Sequence, residues 1–132
     1  MGKERQVGAE AGGGPATTSV YTTVAGITHK NLDGSSRQKI AHRRKQGESL
    51  RLVRDRRNMH NVYAIEVWTQ GSHGGRGHQL GFIHADLAKV LAEHIDARAQ
   101  ITAKVAEVTG GGGMLWWKQP YGVKLLIEGI PK

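Results

Sequence analysis

Glu48-Ser-Leu-Arg-Leu-Val-Arg-Asp-Arg-Arg-Asn-Met-His-Asn-Val-Tyr-Ala-Ile-Glu-Val-Trp68 is the stretch on which the reading of this chain turns. Leu50 and Leu52 alternate with Ser49, Arg51 and Val53, and Tyr63, Ile65 and Val67 alternate with Ala64, Glu66 and Trp68. A period of two predicts two strands, each turning one row of side chains into a core. Between them Arg54, Asp55, Arg56, Arg57, Asn58, His60 and Asn61 make a polar, basic turn. The hairpin would therefore present guanidinium, amide and imidazole groups together at one end of a small sheet, a density of donors that suits a binding site.

Upstream of the hairpin, Ser19 to Ile27 alternates again, with Val20, Thr22 and Val24 against Tyr21, Thr23 and Ala25, and predicts a first strand. Asn31-Leu-Asp-Gly34 supplies a turn. Ser35 with Gln38 three residues on has the spacing of a capping box, so a helix is expected from there to Gln46, with Gly47 as its stop. Arg37, Lys39, His42, Arg43, Arg44 and Lys45 surround a lone Ile40-Ala41, which places that helix on the surface as a charged face able to contact phosphate. Residues 1–18 carry no hydrophobic periodicity and include Gly12-Gly13-Gly14-Pro15, a linker composition that reads as a flexible tail ahead of one domain, 19–132.

Downstream, Gln70-Gly-Ser-His-Gly-Gly-Arg-Gly-His78 reads as a mobile loop, and its Gly-Gly-Arg-Gly lacks the spacing of a phosphate-cradling turn. Gln79 to His84 predicts a short strand whose Gly81 marks a close backbone approach. Ala85 to Ala97 is the clearest helical pattern, with Leu87, Val90, Leu91, His94 and Ile95 inward, Lys89, Glu93 and Asp96 outward, and Asp86 at the positive end of the dipole. Gln100 to Val108 and Val123 to Ile127 complete the strands. The adjacent Trp116 and Trp117, on an extended segment, are expected to face opposite ways, one into the core and one out. Strand, helix, two strands, short strand, helix, two strands predicts a mainly β fold: a small antiparallel barrel with two α-helices packed on it.

Composition narrows the function. At 132 residues there is room for one core, and zero cysteines exclude disulfides and thiolate metal sites. No apolar run approaches the roughly 18 residues of a membrane span, and no signal-peptide core is visible, so a soluble, cytoplasmic protein is expected, nucleoid-associated in a prokaryote. Nineteen Lys and Arg against eleven Asp and Glu leave a net charge of +8, which favours phosphate-rich partners. Asp33, Asp55, Glu66 and Asp86 are scattered, and His73, His78 and His84 lack helical metal-ligand spacing. No metal, cofactor or catalytic activity is therefore expected.

Several short stretches together resemble the HIRAN domain family: Val24-Ala25-Gly26-Ile27, Asp33-Gly34-Ser35-Ser36-Arg37-Gln38, Gly47-Glu48-Ser49-Leu50 with Leu52 and Arg54, Asn58 before Ala64-Ile65-Glu66-Val67, and Gln79-Leu80-Gly81-Phe82-Ile83 before Ala85-Asp86-Leu87-Ala88. The resemblance spans roughly Tyr21 to Ile127 and is to the free-standing prokaryotic form rather than to the domain attached to SWI2/SNF2 ATPases. It implies an OB-like or SH3-like barrel that recognises single-stranded DNA, and in eukaryotic members a 3′-hydroxyl end. Where those members carry an Arg-Tyr pair after the first strand's glycine, this chain has Thr28-His29; where they carry Asn-Asn-Pro-Tyr-Asp, it has Arg57-Asn58-Met59-His60-Asn61. His29 and His60 thus stand where tyrosines stack, and Phe82, which can stack but not donate, stands near the place of an end-contacting histidine. The resemblance implies a pocket of Thr28, His29, Arg54, Arg57, Asn58, His60, Asn61 and Phe82 for single-stranded DNA or DNA ends. The alternative kept open is a protein-interaction or homo-oligomer module, or one that joins a DNA-processing partner, using the Trp116-Trp117 edge.

Overall fold

The computed structural model of the protein describes residues 16–73, 75–114 and 117–132. Its strands are β1 (Thr17–Thr23), β2 (Ser49–Arg54), β3 (Ile65–Thr69), β4 (Gln79–Phe82), β5 (Thr102–Thr109), β6 (Gly113–Met114), β7 (Trp117–Lys118) and β8 (Gly122–Pro131), and its helices α1 (Arg37–His42) and α2 (Ala85–Asp96). Six strands form one sheet in the order β1-β8-β5-β2-β3-β4, and β6 and β7 pair as a separate small hairpin. Every pairing is antiparallel. The mainly β fold with two helices is the one expected, with that hairpin added. Of the anticipated tail, residues 1–15 lie outside the described residues, and β1 begins at Thr17, two places before the expected Ser19. The expectation about Trp116 and Trp117 concerns side chains outside the described residues.

Hydrophobic alternation accounts for the core. Leu50 faces Thr69 and Leu52 faces Val67 across β2 and β3, so the rows that the pattern assigned to one side do share it. Ile65, Val67, Leu80, Leu91, Val105, Val123, Leu125 and Ile127 are the largest fully enclosed side chains and come from four strands and one helix. The sheet curls until its two edges meet. Just past β1, Ala25 and Phe82 exchange backbone hydrogen bonds of 2.8 and 2.9 Å, which stitches the chain after the first strand to the last strand in the sheet. The closure needs Gly81: a Cβ there would stand 2.4 Å from the Ala25 carbonyl oxygen and 2.5 Å from a Val24 methyl. The close approach inferred from the glycine is the seam of a small barrel.

Both helices depart in detail from their sequence patterns. The N-cap of α1 is Ser36, not Ser35, and its hydroxyl accepts the Lys39 amide hydrogen at 3.2 Å. Ser35 belongs instead to the preceding turn, where its amide and hydroxyl donate to the Asp33 carboxylate at 2.9 and 2.6 Å. Those bonds hold the Asp33 carboxyl below the ordinary carboxylate range. Gln38 does not close a capping box but donates to the Ile27 and Tyr121 carbonyls, and α1 stops at His42, short of Gln46. The helix is also less superficial than its charge implied, because Arg37, Ile40 and Ala41 are buried and it lies against β4. In α2 the inward face is Ala88, Leu91 and Ala92 with Leu87 and Ile95 beside them, whereas Val90, expected inside, is exposed. The apolar stripe is thus rotated towards Ala88 and Ala92.

Candidate nucleic-acid interface at the barrel seam

The ten residues from Asp55 to Ala64 that join β2 to β3 are not a tight turn but a folded loop held by its own side chains. The Asn58 side-chain oxygen accepts the His60 and Asn61 amide hydrogens, each at 2.9 Å, and the Asn61 side-chain oxygen accepts the Tyr63 amide at 3.0 Å. These are Asx-type turns, in which a short amide side chain replaces a backbone partner. Asp55 closes the loop by donating its amide to the Ala64 carbonyl at 2.9 Å. The loop thereby lifts Met59 and Val62 into solvent and sets His60 and Asn61 beside the seam.

A cleft of about 240 Å³ opens there, lined by Asn58, His60 and Asn61 from the loop, Ala25 and Phe82 from the stitch, and His84 from the start of α2. Among the described residues no carboxylate lines it. His29 stands next to it: the turn after β1 places Gly26 at a φ of +72°, the left-handed region that glycine tolerates, and the His29 amide donates back to the Gly26 carbonyl at 3.1 Å. A Cβ on Gly26 would lie 3.8 Å from the His29 ring and 3.9 Å from the Phe82 ring, so both rings flank this glycine. Of the residues predicted to form the pocket, Asn58, His60, Asn61 and Phe82 therefore converge on one cleft, and His29 borders it.

Arg54, Arg57 and Thr28 are placed differently. Arg54 shares the inner face with Ile65 and is spent on the scaffold. Its guanidinium donates to the Ala64 and Val62 carbonyls at 2.9 and 3.1 Å and to the Asp96 carboxylate at 3.1 Å. It thus ties the loop to the end of α2. Arg56 reaches the same carboxylate at 2.8 Å, and the hydrogen bond from Arg54, with both positive charges behind it, holds the Asp96 carboxyl below its ordinary range. Arg57 and Thr28 are exposed and do not line the cleft, and Arg57 makes no ion pair among the described residues.

Two residues of the site were not anticipated. His84 follows Phe82 by two, so simple strand alternation turns both toward the cleft; its ring sits 3.2 Å from the Thr23 hydroxyl. An imidazole near Phe82 is thus present after all, two positions later than the comparison of sequences placed it. Arg37 is only 8% exposed and lies under the seam. It donates to the Asn31 side-chain oxygen at 2.7 Å and to the Gly26 carbonyl at 2.9 Å, and its guanidinium carbon stands 5.5 Å from the centre of the Phe82 ring. Burial pushes its pKa down, and the Glu66 charge partly offsets this. No local signal marks it, since in sequence it is one more basic residue of a basic helix.

Among the described residues, no three His, Asp or Glu side chains are grouped so as to hold a metal ion, and no helix is long and apolar enough to cross a membrane. No curated protein matches the chain. Two solved structures share its fold. One is a Lactobacillus plantarum protein from a structural-genomics consortium, with a TM-score of 0.58 and 20% identity over 88% of this chain and 99% of that one. The other is the HIRAN domain of human HLTF, with a TM-score of 0.52 and 22% identity over 85% of this chain and 76% of that one. The sequence profile of the HIRAN domain matches residues 18–113, most of the described sheet. The chain belongs to the HIRAN domain family, whose members are in general nucleic-acid-binding modules.

Proposed function

We propose that this protein is a non-catalytic module that binds single-stranded DNA, strand ends included, in the cleft at the barrel seam. The observation that carries the reading is the convergence of His60, Asn61, Phe82 and His84 on one carboxylate-free cleft. Aromatic and imidazole rings stack on bases of any sequence, and protonated imidazoles also attract phosphate. At about 240 Å³ the cleft lies below the usual range of small-molecule pockets, roughly 300–1,000 Å³, and suits one terminal unit of a strand rather than a duplex. His29 borders the cleft and extends the stacking surface, while Arg57 and the basic face of α1 supply charge for the phosphates that follow. Arg54 and Asn58 act by holding the loop, and Thr28 stands at the exposed turn beside His29.

The deciding experiment is fluorescence anisotropy of a labelled short single strand carrying either a 3′-hydroxyl or a 3′-phosphate, at low and moderate salt. Tighter binding to the hydroxyl end supports end recognition, and equal, salt-sensitive binding supports a general single-strand binder. A second reading, a protein-interaction module, is favoured by Met59 and Val62, which are 96% and 62% exposed on the loop. Absence of binding to either strand, with salt-insensitive self-association, would replace the first reading by the second.

A further inference from the structure

A larger cleft, which shares no lining residue with the seam cleft, lies between α1 and the segment that leads into β8. It measures about 670 Å³ and is lined by Lys39, His42 and Arg43 on one side and by Gly111, Pro120 and Tyr121 on the other. Its aromatic wall is the Tyr121 ring, held by its neighbours. The Gln38 amide grips the backbone of Tyr121 in both directions, accepting from its N–H at 2.7 Å and donating to its carbonyl at 2.9 Å. Gly111 packs flat against the phenol, where a Cβ would stand 2.3 Å from a ring carbon. The His42 ring leans on the Tyr121 ring, centroids 4.6 Å apart and planes at 42°, and His42 itself is exposed.

The charge around this wall is of one sign. Lys39 and Arg43 are exposed at i, i+4 and make no ion pair among the described residues, whereas Arg44, one position on, is neutralised by Glu48. Among the described residues no carboxylate lines the cleft. The same two cations also border a second cleft of about 530 Å³, where Lys30 and His78 join them, again with no carboxylate. Like charges four apart on a helix repel, and an anion seated between them removes that cost.

We infer that this cleft is a second binding site, for a nucleotide unit: its base lies on the His42 ring, which Tyr121 backs, and its phosphate sits between Lys39 and Arg43. The inference extends the proposed nucleic-acid reading to a second cleft and rests on it. A phosphate alone would leave the aromatic wall unused, and an apolar ligand would leave the cations unmatched. The occupant is either a free nucleotide or a nucleotide within a strand, and these share the chemistry the site recognises.

The test is a titration of the full, isotopically labelled chain with thymidine 5′-monophosphate and, separately, with a short oligothymidylate, following backbone amide resonances. The expected result is movement of the Arg43, Gly111 and Tyr121 amides, with affinity at those amides falling about tenfold in His42→Ala and falling likewise in Arg43→Ala. Both side chains are exposed, so neither change threatens folding. Movement with the monophosphate identifies a free nucleotide as sufficient, and movement with the strand only identifies a strand. Amides that stay still in both titrations, or shifts that persist unchanged in both variants, overturn the inference. Asn61 and Phe82 report on the seam separately. Silence at the seam with movement at Tyr121 counts against the proposed function alone, and the reverse counts against the second site alone.

Discussion

Arg37 shows how a single residue's role depends on what folds over it. On α1 it belongs by composition to a solvated basic face, yet it is enclosed and joins the turn after β1 to the Phe82 ring. A lysine carries the charge but cannot form the same planar fork. Arg37→Lys should therefore lower stability by about 1.5–3 kcal/mol, the scale of a lost hydrogen bond to a charged group, read as a reduced midpoint in urea unfolding. It should also loosen Phe82 and weaken single-strand binding at temperatures where the fold is intact. His60 is the opposite case, exposed and unneeded for folding. His60→Ala should weaken binding to every single strand by about 1–3 kcal/mol with no change in melting temperature. Lys45→Ala, remote from the seam cleft, should mainly flatten the dependence of binding on salt.

At the scale of elements, the loop between β2 and β3 is positioned by one carboxylate at the end of α2. Asp96 receives Arg54 and Arg56, and Arg54 in turn holds the Val62 and Ala64 carbonyls. Because the Asp96 pKa is depressed in the folded protein, the contribution of this ion pair is fully present above the ordinary value of 3.8 and is lost as the pH falls through the lower, folded value. Amide protection in residues 55–64, taken relative to the intrinsic exchange rate at each pH, should fall below pH 3.8 in the wild type. In Asp96→Asn that protection should already be low at neutral pH and change little on acidification. An unchanged exchange profile in the variant would mean that the loop is held by its asparagine turns alone. The helices carry a lesson about local signals as well. Ser35, the serine expected to cap α1, is taken up by the Asp33 turn, and its neighbour Ser36 caps the helix instead.

For the molecule as a whole, the barrel closes at a single backbone pair, Ala25 with Phe82, and the candidate site is built on that closure. Gly81→Ala would put a methyl 2.4 Å from the Ala25 carbonyl oxygen. The seam should open or shift, at a cost of about 1–3 kcal/mol in stability, together with a loss of single-strand binding larger than that of His60→Ala. Thermal unfolding and anisotropy on the same sample check both. Binding that survives an opened seam would detach the site from the closure.

What the amino-acid sequence determined by itself is whatever depends on neighbours along the chain. Alternation in Leu50–Val53 and Ile65–Val67, the clear period of α2 and the glycine at position 81 established the strands, the longer helix and a close approach, and the order of motifs pointed to the HIRAN family. The small β6–β7 hairpin was legible only as an extended segment after a glycine run, because Met114-Leu-Trp-Trp117 is a continuous apolar run with no alternation to mark two paired strands. Four of the predicted site residues meet at the seam: Asn58, His60 and Asn61 lie in the loop that joins a legible strand pair, and Phe82 ends β4. Only the tertiary structure decided that Arg54 belongs to the scaffold, that Arg37 lies beneath the site, that His84 joins it, and that Val90 faces water. Each of these is settled by a partner far away in sequence, such as Asp96 for Arg54 or Phe82 for Arg37. A guanidinium carries no local mark of whether it will meet water, a carboxylate or a carbonyl, so its role is fixed only when the sheet has curled and its edges have met.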